Sequence, residues 1–143
     1  MGLQDVAAQP EERRAASRRA KTIAAEYGLS TKTYMMCTVV HADTDAAAEA
    51  LVERYRDGVD MGAVIEMLKS WGVPPERLTD VAKQQGAFMT QTAVGSPKSC
   101  AHQIEEFLTH AELDGLMLIF PDYVEGLKMF GADILPGLRM AHA

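Results

Sequence analysis

The stretch Thr33-Tyr34-Met35-Met36-Cys37-Thr38-Val39-Val40-His41 constrains the fold more than any other feature. It is β-branched, aromatic and apolar on both alternating sets of side chains. A strand with one wet face alternates apolar and polar residues. A strand apolar on both sets must be covered on both faces, as in parallel sheets flanked by helices. Two further runs read as strands. Phe88 to Val94 is the weaker, and Asp114 to Phe120 is again apolar on both faces.

Helical signals fill the gaps. Pro10-Glu11-Glu12 suits a helix start, because proline fits the first turn and acids favour the positive end of the dipole. Ala16, Ala20, Ile23, Ala24 and Tyr27 recur at helical spacing, and Gly28 is a natural stop. Asp43-Thr44-Asp45 supplies a cap for a helix over 46–56 with Ala47, Ala50, Leu51, Arg54 and Tyr55 along one side. Asp60 caps a second helix bearing Met61, Val64, Ile65, Leu68 and Trp71. Pro74-Pro75 precedes a short third one over 76–85, with Leu78, Val81 and Ala82 inward. This connection, from about residue 42 to 87, is long for a simple crossover, and such length is where lids and substrate loops often sit. Ser96 and Pro97 open the next helix, with Cys100, Ile104, Phe107 and Leu108 on its buried side. Val124 to Phe130 opens the last, which Gly131 is placed to bend. The order helix, strand, helices, strand, helix, strand, helix predicts parallel pairing through crossovers.

The 143 residues suffice for one ordinary domain. With 48% hydrophobic and 24% charged residues the chain is globular rather than disordered. A net charge of −6 gives nucleic-acid binding no electrostatic support. Cys37 and Cys100 form no CxxC or zinc spacing and read as small buried hydrophobes, which fits a reducing, cytoplasmic setting. No run reaches the roughly 20 apolar residues of a membrane span. Met1 to Pro10 has no basic start followed by an apolar core, so no signal peptide is expected. The immediate start into a helix fits a beginning inside a larger fold.

Several groups of residues together carry a family resemblance: Ala93-Val94-Gly95-Ser96-Pro97, Gln103-Ile104-Glu105-Glu106-Phe107, Asp114-Gly115-Leu116-Met117-Leu118, Phe120-Pro121-Asp122-Tyr123, and Phe130-Gly131 through Leu135-Pro136. They resemble the C-terminal end of bacterial-luciferase-like flavin monooxygenases, and Thr38 to Ala46 resembles the preceding strand and helix start. Within that group the chain is most similar in character to the pyrimidine-ring-opening oxygenases. The resemblance spans residues from about 10 to 140. It implies a partial (β/α)8 TIM barrel, residues 1–143 forming its C-terminal segment and supplying strands six to eight. It implies FMN, reduced by a separate flavin reductase, and oxygen insertion into a small organic substrate. Sulfonate-oxidising relatives carry an arginine and a histidine where this chain has Met36 and Thr38, which counts against sulfonate chemistry. A complete barrel needs roughly 250 residues, and three strands cannot close one. Most flavin contacts would then lie outside this chain.

Active sites of such barrels sit at the C-terminal strand ends. Gly95 and Ser96 are the candidates for holding the flavin phosphate, through backbone N–H groups at a helix N-terminus and one hydroxyl. A plain helix cap explains the same two residues. Thr38, His41, Phe120 and Asp122 are the candidate substrate-pocket residues. Each has an ordinary alternative: His41 as an exposed strand end, Phe120 as core and Asp122 as a cap. No catalytic residue can be assigned. His102, His110 and His142 have no metal-ligand spacing, and no nucleophile elbow or glycine-rich phosphate fingerprint occurs.

Two functional readings follow. One is the C-terminal fragment of a luciferase-like monooxygenase, inactive alone. The other is a small stand-alone α/β module that binds a ligand or partner without catalysis. A homo-oligomer is compatible with either.

Overall fold

The computed structural model describes residues 10–138. The reading of the first nine residues and that of His142 lie outside them. Helix α1 (Pro10–Glu26) is followed by strand β1 (Tyr34–His41). The connection to β2 (Gln91–Gly95) contains α2 (Asp45–Asp57), α3 (Met61–Ser70), a 3-10 turn at Pro75–Arg77 and α4 (Leu78–Gln85). Helix α5 (Pro97–His110) leads to β3 (Gly115–Ile119). Helix α6 (Tyr123–Met129) then widens into a π turn at Phe130–Ile134, which contains Gly131.

The three strands form one parallel sheet, as the doubly apolar β1 requires. Its order is β2-β1-β3. Three strands succeeding one another around a barrel wall would run β1-β2-β3, so the sheet departs from the expected succession. The register shows how β1 serves both neighbours. Its second half, Cys37 to His41, pairs with β2, and its first half, Tyr34 to Thr38, pairs with β3. The second strand starts later than its sequence suggests, leaving Phe88 outside it.

One sheet face is fully packed. Cys37, Val39 and Ala93 meet Cys100, Ala101 and Ile104 of α5 and Phe120, Phe130 and Ile134 from the last turns. Leu116 and Leu118 pack against this cluster. A second small core, Leu68, Val73, Leu78 and Ala82, holds α3 and α4 together. The opposite face of the sheet is uneven. Thr38 and Val40 are buried, but Tyr34 (49%), Met36 (43%), Met117 (57%) and Ile119 (37%) are exposed. By strand alternation these residues share one face, and Met36 pairs directly with Met117.

Helix α1 docks differently from its periodicity. Ile23 and Tyr27 are exposed, as are Ala16 and Ala20, and its one buried residue is Ser17. Ser17 Oγ donates to the carbonyl of Glu112 (3.0 Å) and shares a hydrogen bond with Thr33 Oγ1 (2.8 Å). Two basic residues of the helix are engaged. Arg18 Nε donates to Glu112 (2.8 Å), and Lys21 Nζ lies 2.8 Å from Asp114. The helix is therefore held by polar contacts to the loop before β3, and among the described residues nothing covers its apolar side. In α2 the buried positions are Ala48 and Val52, one residue out of phase with the expected Ala47 and Leu51.

Candidate functional site

Parallel strands present their C-terminal ends on one side of the sheet, and the loops that follow define a common rim. Here that rim carries His41, the Gly95-Ser96 turn, and Pro121 to Tyr123. Ala42 N donates to the carbonyl of Gly95, which fixes the ends of β1 and β2 together.

The Gly95-Ser96 turn is built tightly. Gly95 has φ +146°, a conformation L side chains rarely adopt. A Cβ there would lie 2.7 Å from Asp45 Oδ1 and 2.8 Å from Ser99 Cβ. Ser96 caps α5 by accepting from Ser99 N–H. Its own N–H donates to Asp45 Oδ1 at 2.6 Å. This backbone bond is the main cause that holds the Asp45 carboxyl below its usual range, with the Ser96 and Ser99 hydroxyls adding to it. A carboxylate from the first turn of α2 thus sits where an anion would approach α5. A flavin phosphate would meet a fixed negative charge and an N–H already engaged. Gly95 and Ser96, arranged this way, do not fit a phosphate.

The substrate-pocket candidates are not brought together. Thr38 lies on the partly open face, buried, with its Oγ1 2.6 Å from Thr90 Oγ1. His41 stands at the end of β1 in alternation with Cys37 and Val39, which belong to the packed face. Its Nδ1 is buried and has no hydrogen-bond partner. Phe120 is 5% exposed and packs into the core, 5.8 Å from the Phe130 ring and 6.1 Å from Tyr123. It presses on Gly126, where a Cβ would come within 2.6 Å of it. Asp122 is exposed and caps α6, accepting from Glu125 N–H at 3.1 Å.

Two features of this region were not read from the sequence. The sequence marks Asp45 only as part of a helix cap, because its partner Ser96 lies 51 positions away. Gln103 of α5 closes the edge of β2: its Nε2 donates to the carbonyl of Val94 (2.7 Å), and its Oε1 accepts from Val94 N–H (3.1 Å). One side chain thus satisfies both backbone groups that a further strand would otherwise engage. Both thiols are fully buried. Burial pushes Cys37 up to about 12 and Cys100 up to about 11, so neither is a nucleophile at neutral pH. Among the described residues no cluster could hold a metal ion, and no helix is long and apolar enough to cross a membrane.

No family model matches the chain. Among curated proteins it is 30% identical over 125 residues to the pyrimidine monooxygenase RutA of Acinetobacter baylyi, an alignment covering 82% of this chain and 34% of that protein. It is likewise 30% identical over 128 residues to the pyrimidine monooxygenase RutA of Serratia proteamaculans, covering 85% and 35%. The chain is similar to one part of these pyrimidine monooxygenases. It spans about a third of the length of the curated relatives it matches. Solved structures agree on the fold. DmoA from Hyphomicrobium sulfonivorans superposes with a TM-score of 0.76 at 21% identity, over 92% of this chain and 35% of that one. A riboflavin lyase solved with a modified FMN and riboflavin gives 0.69 at 19% identity, over 90% and 36%. The expected partial barrel architecture, a parallel sheet with flanking helices, agrees with these neighbours.

Proposed function

We propose that this chain supplies the C-terminal part of an FMN-dependent, cytoplasmic monooxygenase acting on a pyrimidine ring or a similar small organic substrate, and that it has no oxygenase activity alone. The observation that carries the reading is the inequality of the two sheet faces. The face toward α5 and the Phe130–Ile134 turn is sealed, while Tyr34, Met36, Met117 and Ile119 leave the other open. In a (β/α)8 barrel, helices cover the outside of the wall and side chains of the remaining strands fill the inside. The sequence relatives, three times as long, have the length to supply those strands. Reduced FMN, delivered by a flavin reductase, would supply the oxygen-activating chemistry. Its seat is assigned to segments beyond these residues, because Asp45 occupies the turn this chain offers. Within the chain, Thr38 would contribute a hydroxyl to the inner wall, and Asp122 and Ser96 would keep the rim rigid as caps.

The stand-alone binding module has one observation in its favour, the Gln103 seal on the β2 edge. Two measurements separate the readings. The purified chain with FMN, a flavin reductase, NADH and uracil is expected to show no oxygen-dependent loss of uracil. Co-expressed with an Acinetobacter baylyi enzyme lacking its matching third, it is expected to form a complex that retains FMN through gel filtration. Turnover by the chain alone, or a monodisperse monomer indifferent to the truncated enzyme, would overturn the proposal.

A further inference from the structure

We infer that the cleft between the α2–α4 connection and the start of β2 binds a small planar anion of the ring-carboxylate class, with Lys83 as its charge partner. The cleft has a volume of about 620 Å³, within the roughly 300–1,000 Å³ usual for small-molecule sites. Its lining mixes the two chemistries such a ligand needs. Met61 and Phe88 offer apolar surface, and Thr90 and Gln91 offer polar groups. Phe88 is held edge-on by Tyr55, with ring centroids 5.8 Å apart at 77°, so this aromatic wall is set before any ligand arrives.

The charge pattern selects the ligand. The chain carries a net charge of −6, yet no Asp or Glu lines the cleft, whereas Arg56 and Lys83 both do. Arg56 is paired with Glu53 three positions earlier on α2. Lys83 has no carboxylate partner among the described residues. The cleft therefore keeps one uncompensated positive charge. The Gln91 side-chain amide also makes no hydrogen bond among the described residues, although it lines the same space. An ammonium and an amide beside an aromatic wall suit a flat ring that carries a carboxylate and a ring carbonyl. A neutral ring could use the wall and the amide but would forgo the ammonium.

This site is independent of the oxygenase reading. It lies wholly within the chain, and its readout is binding rather than turnover, so either can fail while the other stands. Orotate, uracil and benzoate titrated into the full chain by isothermal calorimetry test it. Orotate is expected to bind at least about tenfold more tightly than uracil, which has the same ring without the carboxylate. That preference should shrink as salt is raised from about 0.01 to 1 M. Lys83→Gln should bring orotate to within about twofold of uracil, and Lys83→Arg should retain the preference. Unchanged far-UV dichroism would show that the variants fold, as expected for an exposed side chain. Binding of benzoate as tight as that of orotate would overturn the role given to the ring carbonyl. Equal affinity for orotate and uracil, no binding of either, or an unaltered K83Q would overturn the site.

Discussion

Replacing Gly95 by alanine tests whether the rim is as tightly built as its geometry implies. The perturbation has two separable costs. At φ +146° an L side chain is strained, at about 1–3 kcal/mol. The new methyl would also stand 2.7 Å from Asp45 Oδ1 and 2.8 Å from Ser99 Cβ. Relieving that crowding by shifting the loop after β1 or the first turn of α5 costs a further ~1–3 kcal/mol. The sum, about 4 kcal/mol at its midpoint, is a large share of the roughly 5–15 kcal/mol that holds such a domain folded. With about 3 °C lost per kcal/mol at this chain length, the melting midpoint should fall by roughly 12 °C. The assay is thermal unfolding followed by far-UV dichroism. Asp45→Ala gives the control, because it removes one of the two crowded contacts. In that background Gly95→Ala should cost less than in the native chain. A Gly95→Ala protein melting within about 2 °C of the native one would refute the reasoning, as would full additivity of the two changes.

Three other outcomes follow from the packing and the charges. Cys37 and Cys100, buried and with raised pKa values, should resist an aromatic disulfide reagent at pH 8 and both react once guanidinium unfolds the chain; rapid labelling of the native protein would contradict their placement. Asp114 is held down at about 2 by Lys21 and the Thr33 N–H, so its clamp on α1 stabilises fully above the ordinary carboxylate pKa of about 3.9 and fades as pH falls toward 2. The difference in melting midpoint between native protein and Asp114→Asn should therefore be constant above about pH 5 and vanish near pH 2, and a difference that persists at pH 2 would count against it. Finally, Met117→Lys with Ile119→Lys on the open sheet face should reduce self-association in sedimentation velocity without lowering the melting midpoint, since both residues are exposed; a large loss of stability would mean that face is covered.

The parts of the fold legible in the sequence were those set by local chemistry. The doubly apolar run from Thr33 to His41 predicts a parallel strand covered on both faces; it is parallel, and its second half is buried, but Tyr34 and Met36 leave the first half of one face exposed. Thr44, Asp60, Ser96 and Asp122 each cap the helix they precede, because a cap needs only a short polar side chain and the N–H groups a few residues on. The rim residues were less legible. Phe120 reads equally well as a pocket wall or as core, and only its contact with Phe130 places it in the core. Helix α1 shows the limit of periodicity. Its spacing marks an apolar side, but burial needs a surface to pack on, and the helix is anchored instead through Ser17, Arg18 and Lys21.

By itself, then, the sequence determined the parallel α/β class, the caps and a similarity to part of the pyrimidine monooxygenases, all properties carried by neighbouring residues or by motifs. Tertiary structure alone decided that β1 sits between β2 and β3, that Asp45 reaches across to Ser96, and that Gln103 seals the edge at Val94. Each of these joins groups far apart in the chain. Their energy depends on distances that no local pattern encodes, so they exist only once the strands have found their register.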